Sequence, residues 1–292
     1  FAEAPWQAAL PAGNGAPDLS QLLSAVRGEV VFCVESVDPA AENPADIVRL
    51  LAGVTVRGAE ARAEELINFV GATPVPLPLL EKDGFGFSAD ALLSRITPKT
   101  RLIIINSPAN PTGGASSKEE IEKLVKGLEK WPDVALMSDE IYSEMLYGGR
   151  QHTSLLRYPS ISDRLIMLDG WSKNYAMTGW RMGYAVWPKG LAEQATRLAI
   201  NCHSCVNAAA QWAGIAALKG PKDDVAKMMK AFDERRTIIV RELNDLPGFS
   251  CVDPHGAFYT FPNITKTGIT SKKLELALLE EAGVAVIAGT SF

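Results

Sequence analysis

From about Thr73 onward, apolar positions alternate between short continuous runs and stretches with helical spacing. The run Arg101-Leu102-Ile103-Ile104-Ile105-Asn106 ends at a Pro, Asn and Gly cluster, as a parallel strand buried on both faces does. Residues 117–130 then carry Ile121, Leu124, Val125 and Leu128 on one helical face, and Ser117 with Glu120 can form a capping box. Residues 133–138, 164–169 and 182–187 read as further strands, the last stopped by Pro188. Strand–helix–strand repetition with right-handed crossovers predicts an α/β fold with a mostly parallel sheet sandwiched by helices.

After Gly190 the pattern changes. Residues 191–218 are Ala-rich and helical, with a predicted break near 203–207. Val225, Met228, Phe232, Ile239, Leu243 and Leu246 extend a helical stripe until Pro247-Gly248 ends it. Residues 257–261 read as a strand, 271–282 as a helix stopped by Gly283, and 284–287 as a strand, together a smaller C-terminal α+β domain. Toward the start, 11–17 is loop-like, 30–34 suits a strand, and 59–63 is small and charged with no clear stripe. The expected division is an N-terminal segment 1–66, a large domain 67–220 and a small, truncated domain 221–292.

Composition narrows the function classes. With 292 residues, 47% apolar and 22% charged, the chain can bury a sizeable core and is neither a disordered tail nor a disulfide miniprotein. A net charge of −5 opposes a general binder of nucleic-acid backbone, so no nucleic-acid partner is expected. No run reaches the roughly 18 apolar residues of a membrane helix, and 1–11 lacks the basic start of a signal peptide. The expectation is a soluble cytoplasmic protein, its cysteines (Cys33, Cys202, Cys205, Cys251) reduced and mostly buried. Cys202 and Cys205 form no zinc site on this reading: there is no second pair and only three histidines are available, so no metal is expected.

Ligands in open parallel sheets sit beyond the carboxyl ends of the strands, and polar residues fall at those ends. Asn110 lies in the Asn106–Gly114 loop, Asp139 follows the second run, Lys173 follows the third, and Arg181 closes the loop after Lys173. A lysine in a partly dry pocket can attack an aldehyde. A carboxylate can hold the proton of a pyridine nitrogen, which makes the ring an electron sink. An arginine fork grips phosphate, while asparagine and tyrosine can bond a phenolic oxygen. Together these types meet the needs of pyridoxal 5′-phosphate. Singly, each suits something plainer: Asp139-Glu140 a helix cap, Asn110-Pro111-Thr112-Gly113 a turn, Tyr142 a core aromatic, Trp171 and Trp180 packing.

The segments Asn110-Pro111-Thr112-Gly113, Asp139-Glu140-Ile141-Tyr142 and Ser172-Lys173-Asn174-Tyr175-Ala176-Met177-Thr178-Gly179-Trp180-Arg181 resemble, in order and spacing, the class I/II aminotransferases of pyridoxal-phosphate fold type I, the aspartate aminotransferase-like family. Residues 255–259 and 284–292 look like that family's small-domain strands, so the resemblance runs from about Ile67 to Phe292. It implies that Lys173 holds the cofactor as an aldimine and moves the substrate's proton. It implies that Asp139 pairs with the ring nitrogen, Tyr142 and Asn110 hold the phenolate oxygen, and Arg181 and Ser172 bind phosphate. Amino acids and 2-oxo acids are the implied substrates, and a homodimer with shared sites the implied assembly.

The family's Gly-rich phosphate turn and ring-stacking aromatic have no convincing counterpart in 1–66, where 53–58 is the nearest candidate. Its α-carboxylate-binding arginine lies past the position of Phe292, so weak substrate binding is expected from these residues unless another one substitutes. A β-eliminating lyase on the same scaffold and a non-catalytic homologue are the competing functions.

Overall fold

The computed structural model describes residues 29–34, 64, 67, 68 and 70–292. The expectations for 11–17, 53–58 and 59–63 lie outside the described residues. Six strands form one sheet: β1 (Glu29–Val34), β2 (Thr73–Pro78), β3 (Thr100–Asn106), β4 (Ala135–Asp139), β5 (Leu165–Gly170) and β6 (Gly183–Val186). Their order is β2-β1-β3-β4-β5-β6, parallel from β2 to β5, with β6 antiparallel to β5.

Successive side chains of a strand point to opposite faces, and here both faces are covered. Ile103, Ile105 and Leu136 pack with Leu92 of helix α1 (Ala89–Leu93) and Leu124 of α2 (Lys118–Gly127). Leu102, Met137 and Ile166 pack on the other side with Ile67, Val70 and Trp187. Burial on both faces is why these strands read as unbroken apolar runs rather than alternating ones. Each fully buried Leu or Ile contributes about 1.5–3 kcal/mol of transfer free energy.

Local signals set the helix ends. Ser117 caps α2 by accepting from Glu120 N–H at 3.2 Å. The reciprocal half of the expected capping box is absent, because the Glu120 carboxylate turns away to accept from Ala89 N–H at 2.6 Å and so caps α1 instead. The Ala-rich stretch is two helices, α3 (Lys189–His203) and α4 (Ala208–Lys219), interrupted where the sequence predicts it, with Asn207 capping α4. The long stripe is α5 (Asp223–Asp245), and α6 (Ser271–Ala282) stops at Gly283 in the left-handed conformation.

Two expected strands are not strands. Residues 257–261 and 284–287 are irregular, and nearby pairing is limited to the isolated bridges Leu146↔Gly256 and Ser250↔Asn263. Among the described residues no strand pairs with either segment to complete a ladder, and 284–287 is exposed throughout. The cysteines differ as well: Cys251 is buried, whereas Cys202 and Cys205 are exposed, and all three are free thiols. Among the described residues no helix is long and apolar enough to cross a membrane.

Candidate active site

Sheet order brings β3, β4 and β5 side by side, so the loops after them share one edge. Asn106, the last residue of β3, is in register with Asp139, the last of β4. Its side chain donates to the Asp139 carbonyl at 3.2 Å and accepts from Asn110 N–H at 2.8 Å, tying the Asn110 loop to the end of β4. The Asn110 side-chain oxygen is buried and has no hydrogen-bond partner among the described residues.

That loop is also clamped from the C-terminal side. The Gly113 carbonyl accepts from His255 and Gly256 N–H, both at 2.9 Å, and Ala257 N–H donates to the Met145 carbonyl at 2.8 Å. Gly113 has φ +72°, and a Cβ there would lie 2.6 Å from the Pro254 Cβ, so only glycine permits this approach. The clamp delivers Phe258 and Tyr259 to the edge carrying Asp139 and Tyr142.

Tyr142 is buried, and its hydroxyl meets that of Tyr259 at 2.5 Å. Burial first, then the neighbouring Tyr259, pushes the Tyr142 phenol far above its ordinary range. The Lys173 ammonium nitrogen lies 5.3 Å from the Phe258 ring centroid and 6.0 Å from that of Tyr142. Lys173 is half-buried, and burial together with the Arg181 charge holds its pKa below the usual lysine range, against the pull of Asp139. A neutral amine is the nucleophilic form, so these surroundings favour attack on a carbonyl.

Asp139 accepts from Ile141 N–H at 3.2 Å. Its carboxyl is nonetheless pushed up to about 6, by burial above all, with Asp169 and Glu140 adding and Lys173 opposing. Such a carboxylate is stabilised by any cation that reaches it. Glu140 next to it behaves in the opposite way. Burial raises it, but His152, Ser154 and Leu155 N–H together outweigh burial and lower its pKa. Its side chain meets His152 at 2.8 Å and Ser138 at 2.9 Å.

Ser172 and Lys173 sit in a tight turn after β5, closed by Tyr175 N–H to the Trp171 carbonyl at 3.2 Å and Ala176 N–H to the Lys173 carbonyl at 3.1 Å. Trp171 anchors this turn to α4 through its indole N–H and the Gly214 carbonyl at 3.1 Å, a packing role as expected. Trp180 is instead half-exposed, which corrects its reading as a packing residue. Arg181 is exposed, has φ 54°, and donates to the Thr178 carbonyl at 3.1 Å.

Lys173, Asp139, Tyr142 and Asn110 thus share one edge, with Arg181 close enough to act on the Lys173 charge. Sequence reasoning assigned no role to Asn106, Asp169, Phe258 or Tyr259. The pairing of β3 with β4 is what reveals Asn106; Tyr259, 117 residues from Tyr142, has no local signal. A separate cavity of about 630 Å³ borders the same β3 loop at Ser107 and Pro108 and reaches Arg150, His152 and His255, but none of the candidate residues lines it.

Comparison with known proteins shows the family. The family described as "Aminotransferase class I and II" matches residues 62–292. The aspartate aminotransferase of Geobacillus stearothermophilus is 40% identical over 234 residues, covering 78% of this chain and 59% of that protein. The aspartate aminotransferase of Bacillus subtilis is 38% identical over 237 residues, with the same coverage of 78% and 59%. The solved aromatic aminotransferase of Pyrococcus horikoshii superposes with a TM-score of 0.76 at 31% identity, over 93% of this chain and 68% of that one. The chain therefore spans 59% of the length of the two relatives named.

Proposed function

Because the chain belongs to the class I and II aminotransferase family, we propose that it moves an amino group between an amino acid and a 2-oxo acid, using pyridoxal 5′-phosphate attached at Lys173. The observation that carries this reading is the state of Lys173: half-buried, shifted toward its neutral form, and beside a buried carboxyl. The donor set fits the cofactor. The Asn110 side-chain oxygen is buried and has no hydrogen-bond partner among the described residues, so its amide is not committed to a protein group through that atom, and Asp139 has a charge that burial leaves poorly compensated.

When bound, the cofactor supplies an aldehyde for covalent attachment and a ring that draws electrons from the substrate's α-carbon. The chain supplies the rest. Lys173 offers its amine as nucleophile and, once freed, carries the proton taken from the α-carbon. Asp139 holds a proton on the ring nitrogen. Tyr142 and Asn110 orient the phenolic oxygen, and Arg181 and Ser172 hold phosphate. Phe258 lies over the amine and limits water there. In this reading residues 67–220 carry the cofactor site, 221–292 close over it, and two chains pair into a homodimer.

Several relatives bear the names of aspartate and aromatic-amino-acid aminotransferases, so a dicarboxylic or aromatic amino acid is the proposed donor. Titration of the purified chain with pyridoxal phosphate, followed by a panel of amino acids with 2-oxoglutarate, tests the proposal. The expected result is stoichiometric uptake with a visible absorbance band and formation of glutamate, both lost in Lys173→Ala. Release of pyruvate and ammonia without a 2-oxo acid would instead mark a β-eliminating lyase, and no uptake would mark a non-catalytic homologue.

A further inference from the structure

Asp169 is a second, half-buried acid at this edge, and the roles above leave it unused. It lies at the end of β5, opposite Tyr184 of β6 and one position beyond Leu168, the register partner of Asp139. One carboxylate oxygen accepts from Gly170 N–H at 2.6 Å. The other accepts from the Ser143 hydroxyl at 3.4 Å and the Tyr184 hydroxyl at 3.3 Å. Ser143 in turn accepts from the Asn174 amide at 3.0 Å, and the Asn174 oxygen accepts from Glu144 N–H at 3.3 Å. Asn174 is buried and directly follows Lys173.

This chain of donors has a fixed direction. Asn174 donates to Ser143, Ser143 donates to Asp169, and Tyr184 donates to Asp169 from the far side. An ionised carboxylate, which accepts and has no proton to place, ends it. The bonds join the loop after β4, the end of β5, the Lys173 turn and β6, four segments that no other described side chain links together. We infer that Asp169 is a positioning residue, fixing the Lys173 turn against the loop that carries Asp139 and Tyr142. Its functional meaning rests on the reading of Lys173 as the cofactor's attachment point.

The groups around it make the arrangement pH-dependent. Asp139 at the end of β4, Glu140 just after it and Tyr184 of β6 face it, with Tyr175 beyond Tyr184. Helix α4 bonds this turn through the Gly214 carbonyl, which accepts from the Trp171 indole N–H. Burial above all, with Glu140 adding, pushes Asp169 up to about 6 against the hydrogen bonds it accepts from Gly170, Tyr184 and Ser143. Below that pH the acid carries its own proton and can no longer accept from every donor, so the turn loosens.

Amide hydrogen exchange on the purified chain, without added cofactor, tests this at pH 7.5 and pH 5 after correction for intrinsic rates. Asp169→Asn turns an acceptor into a donor. It is expected to speed exchange at Glu144, Tyr175 and Ala176 about ten-fold at pH 7.5 and to change little at pH 5, where the wild type has already loosened. Ser143→Ala, which keeps the carboxylate but removes its link to Asn174, is expected to give the same ten-fold rise at pH 7.5 and likewise little further change at pH 5. Unchanged exchange in this turn for both variants, or a rise spread evenly over the sheet, overturns the inference. Borohydride mapping of the attached cofactor is independent of these rates. Attachment at Lys173 with unchanged exchange removes only the positioning role. Faster exchange in the turn with no attachment at Lys173 removes the functional reading and, with it, the meaning of the positioning.

Discussion

Replacing Asp139 with Asn isolates the cost of holding a charge at this edge. The acid's ordinary value is 3.8, and its burial beside Asp169 and Glu140 moves it to about 6. Between pH 4 and pH 6 the folded chain keeps a proton that the unfolded chain has released. Stability therefore falls as pH rises through that window. Above pH 6 the full penalty stands, about 3 kcal/mol. Asn retains an oxygen for the Ile141 N–H and carries no charge, so the cofactor-free variant is expected to be more stable than wild type by about 2–3 kcal/mol at pH 8. At pH 4 the gain shrinks to under about 0.5 kcal/mol. Urea unfolding followed by circular dichroism at pH 4, 6 and 8 reads both numbers. The same variant is expected to bind pyridoxal phosphate more weakly, because the ring nitrogen loses its counter-charge. This is the usual conflict between stability and a functional site. A variant less stable than wild type at pH 8, or a gain independent of pH, refutes the reasoning.

Other substitutions probe the supports of the site. Gly113→Ala forces a side chain into a left-handed backbone 2.6 Å from Pro254 Cβ and 2.9 Å from the Gly256 carbonyl; a loss of about 2–4 kcal/mol in urea unfolding is expected. Glu140→Gln removes the charge that His152 and Leu155 N–H stabilise. Because those contacts lower the folded pKa, the variant is expected to lose about 1–3 kcal/mol at pH 7. That loss disappears as pH falls through the lowered value, which unfolding curves at pH 7 and pH 3 will show. Tyr259→Phe leaves the buried Tyr142 hydroxyl unpaired and costs about 1–2 kcal/mol. Adding Tyr142→Phe should recover part of that loss in a double-mutant cycle.

The sheet was legible because strands buried on both faces write themselves as unbroken apolar runs, as 101–106 does. Helix ends were legible where one residue decides them, as Ser117 and Gly283 do. Residues 257–261 misled because a short apolar and aromatic run does not say whether a neighbouring strand exists to pair with it. Ala257 has φ 57° there, and its carbonyl accepts from the Tyr147 hydroxyl at 2.5 Å rather than from a ladder partner. In the site, Lys173, Asp139 and Asn110 were legible because each lies at or just beyond the end of a strand on the same edge. Tyr259 and Asp169 were not. Tyr259 reaches Tyr142 only through the Gly113 clamp, and Asp169 gains its partners only once β4, β5 and β6 stand in register.

The proposed chemistry depends on one amine, that of Lys173. Incubating the chain with pyridoxal phosphate, reducing with borohydride and mapping peptides by mass spectrometry identifies the lysine that bonded the aldehyde. The predicted result is a single phosphopyridoxyl label on Lys173. A label confined to other lysines, or no label, contradicts it.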